Sequence, residues 1–478
     1  MIFDPSKKFL ITTAIDYTND TIHIGHAYEK VLADAWARFL KQRMGDNKVF
    51  FVTGTDEHGT TNEKAAAKKN VPVTQHVTEI SNGNKEQYKH LNLDYDRFIR
   101  TTDQDHINNA SNFFKKSFDN GFIYKGKYEG LYCEGCESYK TLSELVDGKC
   151  SLHPTREIQK YQEDNYFFKW SHFNEFLKDL LINDKLVIYP KSRKIEMLSL
   201  LEKGLEDIPV TRPKFKLSWG ITCPVDETQV LYVWFDALIN YHTAGKPLGY
   251  WQEDTEIIHF VGKDIARWHT LLWPAMLKSV DEKLPNYVNI HAFMNLNGQK
   301  ISKSTGNLIR PDDITQIIDS DALRWYLLKF GPASEDVDIS INHIKEVYNA
   351  DLANGLGNAV ARVAKLAERS GFEFPADSLR LSTEELDIYK PLEEFRMDNV
   401  VNNISTYISL LDQEINKDTP WAEKDEIKLK TKLTKYVEWI RKIAYLITPL
   451  MPNTADKINR QFGSNKVVST EGIFPRII

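Results

Sequence analysis

The stretch Thr21-Ile22-His23-Ile24-Gly25-His26 decides how this chain is read, because an apolar strand pattern runs into it and a helical pattern runs out. Upstream, Phe9 to Ile15 is a short, β-branched, mostly apolar run, the composition of a strand buried on both faces. Downstream, Tyr28, Val31, Leu32, Ala35, Trp36, Phe39 and Leu40 recur at three- and four-residue steps. They make one helical face, which Lys41, Arg43 and Gly45 close. The histidines therefore fall where a strand delivers the chain to a helix N-terminus. Unpaired amides and the positive end of the dipole favour phosphate there. Gly25 permits close approach of backbone and ligand, and two imidazoles can donate hydrogen bonds to phosphate oxygens. Alone, the four residues also describe an ordinary helix start with two surface histidines, so the rest of the chain has to choose.

Moving outward, Lys48 to Gly54 reads as a second buried strand that ends in Thr55-Asp56-Glu57-His58-Gly59. A polar cluster at the C-terminal end of a parallel strand is where open α/β sheets bind ligands. Helical patterning returns near Asn62, and Asp96 to Thr102 reads as a third strand. Three further runs carry the sheet pattern on: Val230 to Phe235, Glu256 to Val261 and Val288 to Phe293. Between them lies a stretch of short segments rich in Gly, Tyr and Lys, which reads as an insertion. Beyond Asp336 strand signals largely stop, and Leu352–Leu366, Asp398–Ile415 and Ile427–Ile447 carry helical spacing. The expectation is an α/β fold, a doubly wound Rossmann-type parallel sheet split by a metal-bearing insertion, followed by an all-α domain. Its divisions are 1–114 and 226–345 for the two halves of the sheet, 115–225 for the insertion and 346–478 for the helices. Gly355-Leu356-Gly357 resembles part of a dinucleotide fingerprint, but no strand precedes it, and no P-loop is present.

At 478 residues the chain is long enough for about three domains. Hydrophobic residues at 42% and charged residues at 27% describe an ordinary water-soluble composition. No signal-peptide core and no apolar run of membrane-spanning length occur, so a cytoplasmic protein with no membrane partner is expected. The net charge of -6 argues against a globally basic nucleic-acid binder while leaving room for a local basic track.

A second phosphate-seeking element follows the last predicted strand. Asn297-Gly298-Gln299-Lys300-Ile301-Ser302-Lys303-Ser304-Thr305-Gly306-Asn307 sets two lysines three apart among small hydroxyl residues and glycines. A mobile loop of that kind can close two ammonium groups over a developing pyrophosphate. By itself it reads as an exposed basic loop. With His23-Ile24-Gly25-His26 on the same sheet, and no P-loop, it fits nucleotidyl transfer.

A metal signal lies in the insertion. Cys133-Glu134-Gly135-Cys136 and Cys150-Ser151-Leu152-His153 are two ligand pairs with two-residue gaps. They suit a tetrahedral site, and three soft thiolates with one imidazole favour zinc. With four protein ligands the site would be structural, stapling an insertion that has little core of its own. Cys223 is left over as a packing residue.

These motifs resemble the class I aminoacyl-tRNA synthetases. The histidine motif matches their first signature, and Lys300-Ile301-Ser302-Lys303-Ser304 matches their second, with Ile301 where Met is usual. Thr13 to Tyr17, Gly54 to Gly59, Phe98 to Asp103, Tyr232 to Tyr241 and Gly262 to His269 resemble the methionyl-tRNA synthetase family in the expected order. The resemblance implies activation of methionine with ATP, Mg²⁺ accompanying the nucleotide, and transfer to tRNA(Met). It implies that His23, Gly25, His26, Lys300 and Lys303 serve ATP, with the histidines and lysines catalytic. Gly262 and Asp264 would contact the adenosine, Asp264 accepting from the ribose hydroxyls. Methionine would be held by Ala14, Ile15, Tyr17, Asp56, Trp234, Ala237, Tyr241, Ile265 and His269, with Asp56 on the ammonium. A thioether suits aromatic neighbours, and polar edges from Tyr17 and His269 would add to an apolar discrimination worth only about 1–3 kcal/mol.

Asp16 departs from the family, which usually has Pro or another uncharged residue there. In the helical region the resemblance implies that Asn358, Arg362 and Trp421 read the anticodon, by stacking and edge hydrogen bonds. The chain stops soon after that region, which makes a monomer the expectation. Two other readings share some of these features. A pantothenate-synthetase-like ligase would need neither the Cys–His cluster nor Trp421, and an inactive tRNA-binding relative should show damaged signatures.

Overall fold

The computed structural model describes residues 4–136, 138–140, 144–301, 307–376 and 379–477. Its centre is a seven-stranded parallel sheet made of β1 (Lys8–Thr13), β2 (Asp16–Tyr17), β3 (Val49–Asp56), β4 (Arg97–Arg100), β5 (Val187–Tyr189), β6 (Thr255–Gly262) and β7 (Tyr287–His291). The order is β5-β7-β6-β1-β3-β2, with β4 also paired to β3. From β1 the chain builds outward through β3 and β4 on one side, and β6 and β7 extend the sheet on the other. The order therefore switches between β1 and β6, and a crevice for ligands opens at the carboxyl ends of strands on either side of such a switch.

Side-chain alternation explains the layers. Phe9 and Ile11 of β1, Phe51 of β3 and Ile258 and Phe260 of β6 enter the core shared with α1 (Ile24–Met44). Leu10, Val52, Ile257 and Val261 enter the core on the opposite face. Because both faces are covered, the strands read as continuous apolar runs, which is why the sequence pattern found them. The helices α2 (Thr60–Lys69), α3 (Val73–His90) and α4 (Gln104–Asp119) follow in the first half.

The run Val230 to Phe235, expected as a sheet strand, is corrected by the structure. Gln229–Leu231 pairs antiparallel with Thr211–Pro213 outside the parallel sheet, and Val233–Ala237 is a short helix, α5. A short apolar run buried on all sides carries no period that separates strand from helix. The stretch 115–225 in turn supplies β5, which pairs parallel with β7 at the sheet edge. The rest of that stretch is led by a long antiparallel pair, Ile123–Cys133 against Ile158–Phe168, with the cysteine pairs at its far tip.

The helical region contains α6 (Asn358–Ser370), α7 (Met397–Asp418) and α8 (Glu426–Ile447). Its apolar faces continue the α1 core without a break. Phe395, held at φ 55°, stacks on Trp36 of α1 with ring centroids 4.6 Å apart. Among the described residues no helix is long and apolar enough to cross a membrane.

Candidate active site

The first turn of α1 fixes both histidines. His23 is the N-cap, and its Nδ1 accepts from the Gly25 N–H at 3.1 Å. His26 Nδ1 accepts from the His23 N–H at 3.2 Å, and the two rings stack with centroids 3.8 Å apart. Since Nδ1 of each neutral ring accepts, each carries its proton on Nε2. The cap thus selects the tautomer that presents an Nε2–H donor. A Cβ on Gly25 would lie 2.9 Å from His23 Cε1, so the glycine is demanded by the His23 ring itself.

Residues 302–306, and with them the expected Lys303, lie outside the described residues, and Lys300 is placed by its backbone alone. The flanks of that loop are informative. Gln299–Lys300 pairs antiparallel with Met294–Leu296, and the Asn307 amide donates to the carbonyls of Leu296 and Gln299 at 3.1 and 3.3 Å. Just beyond, the Ile24 N–H donates to the Ile309 carbonyl at 3.0 Å. Arg310 lies 3.2 Å from both carboxylate oxygens of Asp20 and also donates to Thr21. The chain leaving the lysine loop is therefore stitched to the turn that precedes His23.

Around the switch point the other expected residues converge. Ala14 and Ile15 follow β1, Asp56 ends β3, and the Tyr17 hydroxyl donates to the His58 carbonyl at 2.8 Å. On α5, Trp234 stacks on Trp268 at 5.1 Å and stands edge-on to His269 at 6.5 Å. Ala237 closes the same helix. The His269 Nδ1–H donates to the Ile265 carbonyl at 3.0 Å. Burial pushes the His269 imidazole down to about 4, so the neutral ring offers Nε2 as acceptor and the Tyr241 hydroxyl donates to it at 2.8 Å. Trp268–Leu272 forms a π-helical turn, a distortion frequent at functional sites. Gly262 ends β6, and a Cβ there would lie 2.8 Å from the Asp264 carboxylate, which folds back over it.

Beneath these groups sits a polar floor that the sequence reading did not assign. Asp236 of α5 is fully buried, 2.6 Å from His58 Nδ1 and 2.7 Å from His106 Nε2. Burial opposes its ionisation, yet the two imidazoles hold Asp236 down to about 2. The bond to His58 ties the helix carrying Trp234 to the strand end carrying Asp56. His259 of β6 lies 2.6 Å from the Thr12 hydroxyl, under the Tyr241 ring at 4.5 Å. The available signal was a polar residue inside an apolar run: Asp236 within Tyr232–Ile239, and His259 within Ile257–Val261.

The ligand atoms of Cys133, Cys136, Cys150 and His153 lie within 4.8 Å of one another. Cys136 Sγ is 3.4 Å from Cys150 Sγ and 3.2 Å from His153 Nδ1. Those separations leave room for one ion bound tetrahedrally by three sulfurs and a nitrogen, so the cluster can hold a metal. Glu134 reaches Lys64 of α2 at 2.5 Å, and Glu144 reaches Arg267 at 2.7 Å, so the cluster is strapped to both sides of the cleft. On the helical face, Arg362 lies 5.7 Å from the Trp421 ring centroid and donates to Asp412 and Asn416. Asn358 stands one turn before Arg362 on α6, and Trp421 is 58% exposed. Trp421 sits on a short 3-10 turn, Pro420–Ala422, ahead of α8.

A family model described as "tRNA synthetases class I (M)" matches residues 9–155 and 138–364. A methionine–tRNA ligase of Clostridium perfringens is 38% identical, the match covering 98% of this chain and 78% of that protein. One of Thermosynechococcus vestitus is 34% identical over 96% of this chain and 90% of its own. Among solved structures, Mycobacterium tuberculosis methionyl-tRNA synthetase in complex with methionyl-adenylate superposes with a TM-score of 0.89 at 30% identity, covering 98% of this chain and all of that one.

Proposed function

Because the chain belongs to the class I methionyl-tRNA synthetases, we propose that the cleft at the β1–β6 switch is its adenylation site, worked by the residues named above. The enzyme activates methionine with ATP to methionyl-adenylate and charges tRNA with the methionyl group. Methionine's carboxylate is already a nucleophile, so attack on the α-phosphate needs no protein base. Catalysis is positioning and stabilisation of charge on the leaving pyrophosphate. The Nε2–H groups of His23 and His26 donate to phosphate oxygens, Lys300 and Lys303 close on the departing pyrophosphate, and Mg²⁺ travels with ATP. Gly262 and Asp264 hold the adenosine. Asp56 pairs with the methionine ammonium. Ala14, Ile15, Tyr17, Trp234, Ala237, Tyr241, Ile265 and His269 enclose the side chain. In the second step a hydroxyl of the tRNA 3′-terminal ribose attacks the adenylate carbonyl and AMP leaves.

The observation that supports this reading is the stitching of Ile309 and Arg310, which follow the lysine segment in the chain, to Ile24, Asp20 and Thr21 around the histidine motif. Cys133, Cys136, Cys150 and His153 bind one structural zinc. Asn358, Arg362 and Trp421 contact the anticodon of tRNA(Met), Trp421 by stacking on a base. We take 1–114 and 226–345 as the catalytic halves, 115–225 as the insertion and 346–478 as the anticodon-binding part of a cytoplasmic monomer.

The test is methionine-dependent ATP–pyrophosphate exchange across a panel of amino acids, with and without Lys303→Ala. Exchange should be specific for methionine. Lys303→Ala should lower its rate about 100-fold with little change in methionine affinity, the signature of an interaction made in the transition state. Exchange near wild type in that variant would remove Lys303 from the role.

A further inference from the structure

Behind Ala14 lies a buried charge cluster that the adenylation step does not use. Lys30 of α1 is 1% exposed, and its ammonium carries three N–H donors. They meet three acceptors: the Asp16 carboxylate at 2.9 Å, the Glu29 carboxylate at 2.8 Å and the Ala14 carbonyl at 2.7 Å. Asp16 also accepts from the Tyr88 hydroxyl. The other Glu29 oxygen lies 3.1 Å from His291 Nε2, and His291 Nδ1 is 2.8 Å from the Ala292 carbonyl. The Asp16 side chain is only 5% exposed. A carboxylate buried there requires a partner, and Lys30 supplies it. Burial raises the Asp16 carboxyl, and the Lys30 ammonium pulls it back.

The third bond of Lys30 connects this cluster to the pocket. Ala14 donates its N–H to the Phe260 carbonyl of β6 at 3.1 Å. Its carbonyl accepts from Lys30 and also lies 3.0 Å from the Thr13 hydroxyl, so residue 14 is held on both sides just past the end of β1. A trans peptide is planar, so a carbonyl turned down onto Lys30 turns the Ile15 N–H the opposite way. The shortest bond to the Ala14–Ile15 peptide, and the one that carries a charge, thus comes from a side chain that lies outside the cleft.

We propose that Lys30 is a positioning residue for methionine, helping to fix the Ala14–Ile15 peptide on the pocket wall, with Asp16 and Glu29 as its two counter-charges. The arrangement has two arms. Lys30 and Asp16 support the methionine side, while Glu29 and His291 lie beneath Gly262, where a Cβ would come within 3.6 Å of the His291 ring, on the adenosine side. A substrate-selective defect follows.

The proposal rests on the assignment of Ala14 and Ile15 to the methionine pocket, and the experiment keeps the two apart. ATP–pyrophosphate exchange is measured with methionine and ATP varied separately, alongside thermal unfolding, for wild type, Lys30→Met, Asp16→Asn and the double variant. Wild type without methionine-dependent exchange would sink the assignment itself. Given an active wild type, Lys30→Met should raise KM for methionine about tenfold or more and leave KM for ATP within about twofold. Asp16→Asn leaves Lys30 with Glu29 and Ala14, and should change KM for methionine less than threefold or so. The double variant removes one charge of each sign and leaves the Glu29–His291 pair. Its Tm should return toward wild type while its KM for methionine stays raised. If KM recovers together with Tm, or Lys30→Met leaves KM for methionine unchanged, Lys30 is a structural ion and the proposal fails. Should Lys30→Met not fold, the charge-balanced double variant supplies the comparison.

Discussion

The cleft floor and the Cys–His knuckle are both small polar clusters, and they are held by different forces. In the floor, Asp236, His58, His106, Tyr241 and His269 are buried and answer one another with hydrogen bonds of 2.6 to 2.8 Å. Helices and strands of two apolar cores press them into place. In the knuckle, three sulfurs and one imidazole crowd within 4.8 Å at the tip of an antiparallel pair, with short strands such as Leu145–Val146 and Lys149–Cys150 for support. Packing preorganises the first cluster whether or not substrate is bound. The second, on the zinc reading proposed above, takes its order from ligation, because two-residue strands bury too little to order themselves.

The largest effect expected from that contrast is on the floor. Asp236→Ala strands two buried imidazoles without their carboxylate, a loss of order 3–5 kcal/mol. It also frees α5 from the Asp56 strand end, and a displacement of about 1 Å at reacting groups costs on the order of 100-fold in rate. Denaturant unfolding and methionine-dependent exchange should therefore fall together. A variant that keeps both within threefold or so of wild type would break the claim that packing builds the floor.

How much of this was legible before the structure depends on which physical signal each group leaves. The longer sheet strands were readable because strands buried on both faces become apolar runs, whereas Asp16–Tyr17 and Val187–Tyr189 are too short to leave a pattern. The histidine signature was readable because His23 and His26 fall where a strand pattern gives way to a helix. Cys133, Cys136, Cys150 and His153 announced themselves by ligand spacing. Asp236, His106 and His259 did not, because a buried polar residue is recognised by its partner. His106 meets Asp236 from 130 residues away, a distance no local pattern spans. Val233 to Phe235 was read as strand for a related reason, since burial on all sides erases periodicity. Asp16 stood out as an oddity. Only the neighbouring Lys30 ammonium shows why a charge is tolerated there.

Metal removal comes next in size and sharpens the comparison from the knuckle's side. Structural zinc contributes an apparent folding free energy of roughly 10–16 kcal/mol in small metal-folded units. A chelator should therefore release about one equivalent of metal and abolish amide protection around residues 131–153. Protection in β1 and β6 should persist. Exchange activity should drop about tenfold and not vanish, since the straps from Glu134 to Lys64 and from Glu144 to Arg267 brace the cleft from outside. Loss of β1 and β6 protection on chelation would mean that the floor, too, depends on the metal.

Acid gives the smallest effect and separates the two clusters by where they titrate. His269 takes up a proton only near pH 4 when folded, against about 6.5 unfolded. Between those values the unfolded chain binds more protons, so stability rises with pH and is lost as pH falls from 6.5 toward 4. Moving from pH 6.5 to 5 should cost the floor about 2 kcal/mol through His269. His259, also pushed down by burial, adds a slope of the same sign. Asp236 and Glu29 are held down to about 2, so their contribution is lost only as pH falls below the ordinary carboxylate range. They are silent between 6.5 and 5. The knuckle responds differently, through protons competing with metal for its thiolates, so metal content measured at each pH reports it alone. In His269→Gln the unfolding free energy should lose about 2 kcal/mol of its pH 6.5-to-5 dependence while metal release is unchanged. If the full slope survives in that variant and follows metal content, the acid sensitivity belongs to the knuckle, and the floor is less dry than its burial implies.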